Sequence, residues 1–467
     1  MATNKSQLQA HQFMLQRVIS ALTVGETDPE QPPFRRPTMA AIGALALAVL
    51  SLAGVWVYGL LVPGGDQFTA TDTIAVEQET GARYVLTGGQ LHPVLNYTSA
   101  LLALDQHAGV RMVPHATLAG IPVGVPIGIP GAPDSLPGPS QLLTGAWSTC
   151  DQSTADGQGT LQQAVTVLVG HGPQGGSPLA NQALLVRSGN ELYVLYQGYR
   201  HEVSAGVDVA LGLRTESMAT VSGSWLDMIP SGRPLAPTQV PDAGQPSSAI
   251  PGMSLATGQV LEVGDSATGG PPGSQWQAQF YLVTGNAVQQ IGPLQASIQE
   301  VVGPHPGPPT VVPGNAVLNV SQLAPEPTAA GDPPWTRPPF ATVADPQSAV
   351  CASFAPGNAV PRLTVGAGLS SADRAAPVNA GVGVAVPSGS AALIEVMASP
   401  NAQPGQGTVA LVTDQGRLYP VDDPQHELSV LGLDGVTPVR ITAVLADAVA
   451  EGPSLSAAAA RLPATGG

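Results

Sequence analysis

Residues 40–62 read AAIGALALAVLSLAGVWVYGLLV, a run of 23 residues without a charge. A helix rises about 1.5 Å per residue, so the run is long enough for a hydrocarbon core of about 30 Å. A secretory signal peptide has a shorter apolar core, about 7–15 residues, close to the N-terminus. This run is longer and starts forty residues in. It predicts a stable single-span anchor. Trp56 and Tyr58 lie near its outer end, where amphipathic rings favour the interface. Arg35 and Arg36 sit immediately before it, with Lys5 and Arg17 upstream. Beyond it Asp66, Asp72, Glu77 and Glu79 all precede the first basic residue, Arg83. The excess of basic residues on the near side places the N-terminus in the cytoplasm.

The charge count sharpens that topology. Residues 1–39 hold four basic and three acidic side chains, net +1; the rest hold 12 and 29, net −17, and the two sum to −16. A short, nearly neutral arm lies inside and a large acidic ectodomain outside. Gly (55) and Pro (47) are abundant among 467 residues, yet the charged fraction is 10% and the hydrophobic fraction 43%. A solvating disordered chain needs the opposite balance, so a packed ectodomain of roughly two to four domains is expected. Its acidity disfavours nucleic acid as a partner.

Within the arm, Leu8, Leu15, Val18, Ile19 and Leu22 recur at helical spacing, with Phe13, Met14 and Arg17 beside them, until Gly25 and Pro29 end the pattern. An amphipathic helix on a membrane surface would need more positive charge on its polar face. Docking into a partner's groove fits better, with Leu8, Phe13, Leu15, Arg17, Ile19 and Leu22 as the candidate face.

Cys150 and Cys351 both fall outside the membrane in this topology. An even count in an oxidising compartment favours one disulfide over two buried thiols. Half a metal site would need further ligands nearby, and no Cys or His flanks either residue closely.

Four segments share a pattern of apolar strand, glycine turn and second apolar strand: Tyr84 to Val94 around Gly89, Leu184 to Val194 around Gly189, Tyr281 to Ile291 around Gly285, and Leu411 to Val421 around Gly416. Each reads as a hairpin in which glycine supplies a positive φ. Short apolar, helix-like patches follow three of them (residues 99–104, 209–213 and 429–433), and then stops such as Ile121-Pro-Val-Gly124 and Ile229-Pro-Ser-Gly232. Each cysteine lies between two such repeats. We therefore expect an α+β ectodomain with four hairpin–helix repeats arranged pseudo-twofold around a central β module, and the disulfide joining the two inserts. The expected divisions are a cytoplasmic arm (1–39), a transmembrane helix (40–62), a linker (63–75), repeat one (76–127), the first half of the central module (128–180), repeat two (181–240), a linker (241–252), repeat three (253–310), the second half of the module (311–405), repeat four (406–460) and a tail (461–467).

Several long stretches resemble the EccB family, a core membrane component of type VII (ESX) secretion systems. They include the run from Thr80 to Leu104, Ile127-Gly-Ile-Pro-Gly-Ala-Pro-Asp-Ser-Leu-Pro137, Trp147-Ser-Thr-Cys150, and Gln9, His11, Phe13, Arg17, Ala21-Leu22 and Asp28-Pro29 in the arm. The resemblance implies an inner-membrane subunit with a periplasmic C-terminal domain of peptidoglycan-binding-like repeats that associates with copies of itself. It implies core partners in an FtsK-like ATPase (EccC), EccD and EccE. Relatives carry more arginine in the arm than Gln16-Arg17-Val-Ile-Ser-Ala-Leu-Thr-Val-Gly-Glu26 does here. Peptidoglycan binding is the rival function.

Members of that family are sometimes described as ATPases. The 16 basic residues are 15 Arg and one Lys, Lys5, so no G-x-x-x-x-G-K-[ST] loop exists to bring a lysine to terminal phosphates. Gly170-His-Gly172-Pro-Gln-Gly175 follows a strand, but Pro173 and Pro178 oppose the helix a dinucleotide loop needs. There is no G-x-S-x-G or H-E-x-x-H, and Leu462-Pro-Ala-Thr-Gly466 lacks the apolar tail of a sortase signal. Neither catalysis, a cofactor nor a metal is expected.

Overall fold

The structure, a computed structural model, describes residues 4–23, 25, 35–61, 68–155, 161–264, 278–325, 329–345, 347–374, 377–379 and 381–464. Two helices come first. Helix α1 (Asn4–Thr23) ends just before Gly25, whose φ is 75°. Helix α2 (Arg35–Leu61) begins five residues before the charge-free run, because Pro37 sits in its first turn, where a missing N–H costs nothing. Contacts divide the chain into two compact units. One takes Met1–Ala70, Val76–Gly81 and Met112–Pro122; the other takes Thr71–Ala75, Ala82–Arg111 and Val123–Gly467.

The first sheet holds β1 (Thr73–Glu77), β2 (Arg83–Thr87), β3 (Gln90–Pro93) and β4 (Gly109–Val113), in the order β3-β2-β1-β4. Helix α3 (Tyr97–Leu104) follows β3. Its N-cap Asn96 accepts the Ser99 N–H at 2.9 Å, and Asp105 closes it in the left-handed region at φ 62°. Helix α4 (His115–Leu118) follows β4, and the chain then returns beside β3 through the parallel bridges Leu91 to Val123 and Val94 to Ile127. After β5 (Trp147–Ala155), β6 (Leu161–Leu168) and β7 (Ser177–Pro178), the same thread recurs. Strands β8 (Leu184–Ser188), β9 (Glu191–Tyr196) and β10 (Tyr199–Glu202) form a meander. Helix α5 (Val207–Ala210) leads to β11 (Met218–Thr220), parallel to β8. Helix α6 (Gly223–Leu226) leads to bridges from Arg200 to Ser231 and Val203 to Leu235.

A small pair, β12 (Pro246–Ser247) and β13 (Leu255–Ala256), precedes the third sheet. There β14 (Val260–Val263), β15 (Gln279–Val283) and β16 (Val288–Ile291) form the meander. Helix α7 (Pro293–Val302) leads to β17 (Thr310–Val312) beside β14, and α8 (Asn315–Leu318) to β18 (Gln322–Leu323) beside β16. Strands β19 (Ala349–Phe354), β20 (Arg362–Ala367), β21 (Pro377–Asn379) and β22 (Val382–Ala385) come next. The fourth sheet repeats the thread: β23 (Ala391–Met397), β24 (Thr408–Thr413), β25 (Arg417–Pro420), α9 (Pro424–Val430), β26 (Val439–Thr442), α10 (Ala443–Asp447), β27 (Ala450–Glu451) and a closing helix α11 (Ala457–Ala460).

The two interposed segments build one seven-stranded sheet, β21-β22-β6-β5-β19-β20-β7. Strands β5 and β19 run antiparallel in its middle, and Cys150 lies directly opposite Cys351. Alternation sorts the cores. Leu184 and Val186 of β8 pack with Trp147 and Val350 of the central sheet, while Leu185 joins Leu294 and Ile298 of α7. Likewise Ala392, Ile394, Ala410 and Val412 of sheet four face the central sheet, while Ala391 and Leu411 join Val85 and Leu101 of sheet one. Sheets two and four thus pack on both faces at their centres, which is why Leu184–Val186 and Val409–Val412 read as unbroken apolar runs.

Several expectations need correction. Sheets two, three and four each hold a three-stranded antiparallel meander with one or two parallel strands added, rather than a lone hairpin. Gly189 therefore joins the first two strands of sheet two, and the turn equivalent to Gly89 and Gly416 is at Gln197-Gly198. Gly89, Gly189, Gly198 and Gly416 have φ of 78°, 58°, 83° and 68°, but Gly285 does not adopt a positive φ. Its loop is longer, and Thr284 closes it: the Ala287 carbonyl accepts from both the Thr284 N–H and its hydroxyl at 2.8 Å. Sheet three runs on to Leu323, past residue 310, because its edge strands β17 and β18 are only three and two residues long, and sheet four starts at Ala391, before residue 406, with the inner strand β23. Residues 62–67 of the expected span and linker, and Thr465 and Gly466 of the tail motif, lie outside the described residues.

Candidate functional site

Helix α2 is the one helix among the described residues long and apolar enough to cross a membrane, over Met39–Val57. Leu45, Leu47, Leu50, Leu52, Val55 and Trp56 are all exposed. Among the described residues this stretch buries no face against protein, and its length and apolarity match those of a membrane span. Arg35 and Arg36 lie in its first turn and Tyr58 in its last. On α1, Leu8, Phe13, Leu15 and Leu22 are exposed and Ile19 is half-buried. The Arg17 guanidinium carbon lies 5.8 Å from the centre of the Phe13 ring, one turn away, a cation–π distance. Among the described residues, Leu8, Leu15 and Leu22, at heptad spacing, thus form an exposed apolar stripe along the helix.

In the same unit, the segment around Glu77 carries a small polar clasp. Glu77 is buried; its Oε1 accepts from His115 Nδ1 at 2.5 Å, and its Oε2 accepts from the Thr80 hydroxyl. The Thr80 and His115 hydrogen bonds hold the Glu77 carboxyl below the usual range, and the facing Glu77 carboxylate raises His115. The Glu79 carboxylate also accepts the His115 N–H at 2.9 Å.

Histidines that follow the hairpins act as packing wedges. His92 Nδ1 donates to the Val125 carbonyl at 2.9 Å, and His201 Nδ1 to that of Arg233 at 2.7 Å. Each ring lies flat against the glycine of the stop motif. A Cβ on Gly124 would stand 2.4 Å from His92 Cε1, and one on Gly232 would stand 2.5 Å from His201 Cε1 and 2.7 Å from the Gly331 carbonyl. In sheet four Tyr419 takes the same place over Gly452, 2.5 Å from such a Cβ. Glycine is required there for close approach. Burial pushes His201 below the ordinary histidine range. His92, His201 and Tyr419 each stand one strand before a stop glycine in the sequence, the one signal that could have marked the wedge.

At the centre, Cys150 and Cys351 are joined by a disulfide, both fully buried, with Cα atoms 4.1 Å apart. Next to Cys150 sits Asp151, 2% exposed. Its Oδ2 accepts the Ser222 N–H at 2.6 Å, while Trp225 Nε1 donates to the Thr149 carbonyl at 3.0 Å. Burial pushes the Asp151 carboxyl up to about 7, and the Ser222 bond only partly opposes this. Nothing in the sequence singled out Asp151, because one acid in a strand otherwise reads as an outward-facing residue.

The Gly170–Gly175 loop is a clasp. His171 Nε2 lies 2.9 Å from Asp373 Oδ1 and Nδ1 lies 3.0 Å from the Val169 carbonyl, while the Ser370 hydroxyl donates to Asp373 Oδ2 at 2.6 Å. The carboxylate stands between serine and histidine. A nucleophilic serine needs the histidine itself as its base, so these three residues tie β6 to the segment after β20 and activate nothing. Burial raises Asp373, but the Ser370 and His171 bonds outweigh it and leave the group low.

At the far end of the chain, the Gly128 N–H donates to the Leu462 carbonyl at 3.3 Å and that of Ala464 to the Pro126 carbonyl at 2.8 Å. Arg461 donates to the Ala103 carbonyl at 3.0 Å and pairs with Asp105 at 3.2 Å, which also meets His426 at 2.6 Å. Sheet one is therefore finished by the last described residues.

Comparison with known proteins adds three findings. A family model described as "Type VII secretion system ESX-1, transport TM domain B" (EccB) matches residues 1–466. The chain is 28% identical to a Mycobacterium tuberculosis protein named ESX-3 secretion system ATPase EccB3, over 98% of this chain and 89% of that one. It is 29% identical to one named ESX-5 secretion system ATPase EccB5 from the same species, over 64% and 59%. Among solved structures, a chain of an intact ESX-5 inner membrane complex superposes with a TM-score of 0.64 at 24% identity, covering 100% of this chain and 96% of that one. A chain of an EccB3 dimer from the ESX-3 core complex gives 0.64 at 24%, covering 84% and 100%. These two likenesses establish the fold.

Proposed function

The chain belongs to the EccB family of type VII secretion membrane components, and from that membership we propose that it is a single-span scaffold subunit of an inner-membrane ESX secretion complex. The observation that carries the reading is the reach of the family match. It runs from residue 1 to residue 466, so it takes in the arm, the span and the ectodomain together. The N-terminal arm is cytoplasmic and the C-terminal domain periplasmic, a reading that the basic flank of α2 and the acidic excess beyond it support. The exposed apolar stripe of α1 docks onto the other core subunits, an FtsK-like ATPase (EccC), EccD and EccE. The ectodomain associates with further copies of itself.

The ectodomain works as two interleaved halves. Four sheets with one thread, and the opposition of Cys150 to Cys351 in the central sheet, support a pseudo-twofold arrangement of four repeats around one β module. By that reading the boundaries become residues 73–127, 183–235, 255–323 and 391–463 for the repeats, with the central module between them.

Relatives bear the name ATPase, but the single lysine here is Lys5, in the arm. No Walker-type phosphate loop can form from this chain. Scaffolding is the function we assign. Purification of the tagged chain from membranes in several mild detergents tests it. Co-purification of an FtsK-like ATPase is expected, and a clean monomer under all conditions would refute the reading.

A further inference from the structure

Two helix junctions of the ectodomain stand at equivalent places in the thread, and their rims differ. Helix α5 follows the meander of sheet two and lies against α7 of sheet three; α9 follows the meander of sheet four and lies, with α11, against α3 of sheet one. Both junctions are apolar at the centre. Val207, Leu211 and Leu213 pack in one cluster with Leu294 and Ile298, and Val430, Leu431 and Leu433 in another with Leu101 and Leu102. Each has the run Leu-Gly-Leu, at 211–213 and 431–433. Five residues before that run stands Gly206 in the first junction and His426 in the second.

At the first rim the backbone comes close. A Cβ on Gly206, whose φ is 81°, would stand 2.6 Å from Val302 Cγ1 at the end of α7. Among the described residues no ion pair crosses this junction; Asp208 and Arg214 pair on one side of it. The second rim is ionic. His426 Nε2 lies 2.6 Å from Asp105 Oδ1, and Arg461 Nη2 lies 3.2 Å from Asp105 Oδ2. Asp105 closes α3, whereas both cations come from the side of sheet four. Buried Glu427 ties α9 to α11 by accepting the N–H of Asp423 at 3.0 Å and that of Ala457 at 2.9 Å. His107 wedges against Gly432, where a Cβ would stand 2.5 Å from its Cε1, while a Cβ on the equivalent Gly212 would meet nothing within 4 Å. The charged groups that face His426 are thus Asp105, with Arg461 on its other oxygen, and Asp423 and Glu427 beside it.

We propose that the junction of α3 with α9 and α11 is a pH-tuned clasp: protonation of His426 sets a second positive charge on the Asp105 carboxylate and tightens the junction, and loss of that proton loosens it, while the α5–α7 junction stays fixed. Arg461 cannot lose its proton, so it supplies the constant part of the grip and His426 the variable part. The hydrogen bond and charge of Asp105 hold His426 above the ordinary 6.5, and Asp423 and Glu427 add to this. The His426 bond, and then Arg461, hold Asp105 below its ordinary 3.8. A cationic group raised by its partner contributes fully below its unpartnered value, and that contribution is lost as pH rises through the raised one. Asp105 stays ionised throughout that window. The grip is therefore tightest in mild acid and slackens as pH climbs past 6.5 and through the raised value.

Hydrogen–deuterium exchange of the full chain in mild detergent, corrected for the intrinsic rate at each pH, tests this. Peptides over 97–105 and 457–464 report the clasp, and peptides over 207–213 and 293–302 report the α5–α7 junction. From pH 6 to pH 9 protection of the first pair should fall about two- to fivefold more than that of the second, the size set by a partly exposed ion pair. His426→Gln, at an exposed position where a neutral amide can still donate to Asp105, should remove that difference. Asp105→Asn should remove it from the other side. An equal fall at both junctions in the wild-type chain, or a difference that survives in His426→Gln, overturns the proposal.

Discussion

Replacing Asp151 by Asn should remove a specific pH dependence of stability. Burial raises the native carboxyl from 3.8 to about 7, so the folded state favours the protonated form more than the unfolded state does. For an acid shifted upward, that stabilisation is full below the unfolded value and is lost as pH rises through the folded one. The window is therefore about pH 4 to 7. The full shift of about three units corresponds to roughly 4 kcal/mol. Between pH 5, where the native group is almost entirely protonated, and pH 8, where it is mostly ionised, the linkage comes to about 2–3 kcal/mol. Asn cannot titrate and still accepts the Ser222 N–H. The stability of the wild-type chain relative to Asp151→Asn should thus fall by about 2–3 kcal/mol from pH 5 to pH 8. Urea unfolding followed by tryptophan fluorescence reads it, since Trp147 and Trp225 are fully buried against the same sheet. Comparing the two chains at each pH cancels the other titrating groups. A difference that stays constant within about 0.5 kcal/mol between the two pH values would show that Asp151 is ionised in the fold and refute the reasoning.

Replacing both cysteines by Ala should cost up to roughly 5 kcal/mol, the loop-closure value for the 201-residue separation; peptide mapping without reductant checks the linkage, and free thiols at both positions would contradict it. Gly232→Ala should destabilise by about 1–3 kcal/mol, because its Cβ meets both the fully buried His201 and the Gly331 backbone. Gly124→Ala should cost less, since the partly exposed His92 can swing away; equal shifts in thermal unfolding would argue against that distinction. Asp105→Asn should tolerate the left-handed backbone and lower the titration midpoint of His426, which the Asp105 carboxylate now raises. NMR titration of the His426 ring reports it, and an unmoved midpoint would mean the pair is not formed in solution.

Much of this architecture can be read from the sequence, and the missing parts have definite physical causes. The span, the arm helix and the glycine-turned strands stand out because each carries a periodicity or a charge boundary. The first strand of the meander in sheets one and four is different. Thr73–Glu77 and Ala391–Met397 are reached from loops with no glycine hairpin before them, so sequence alone gave no reason to join them to the next strand. The parallel strands β11, β17 and β27 are two or three residues long, too short to show a period of two. The same shortness, in β17 and β18, displaced the end of sheet three. The central pairing was legible in part, because the cysteines imply it once the topology places both outside. Asp151 was not, since its burial comes from Ser222 and Trp225, some seventy residues away in sequence.

The opposition of Cys150 to Cys351 also sets a timetable. The strand that carries the first cysteine pairs early with β6, but must wait until 201 further residues have appeared before its second neighbour, β19, exists. At about 5–20 residues per second of synthesis, that is roughly 10–40 s. During that interval sheet two has formed its local strands, yet Leu184, Val186 and Leu195 have only half of the central sheet to cover them. The vulnerable moment in this chain's life therefore falls midway through its making, when an apolar face waits for a partner still to be made. Holding that face soluble becomes a task for whatever meets the nascent chain.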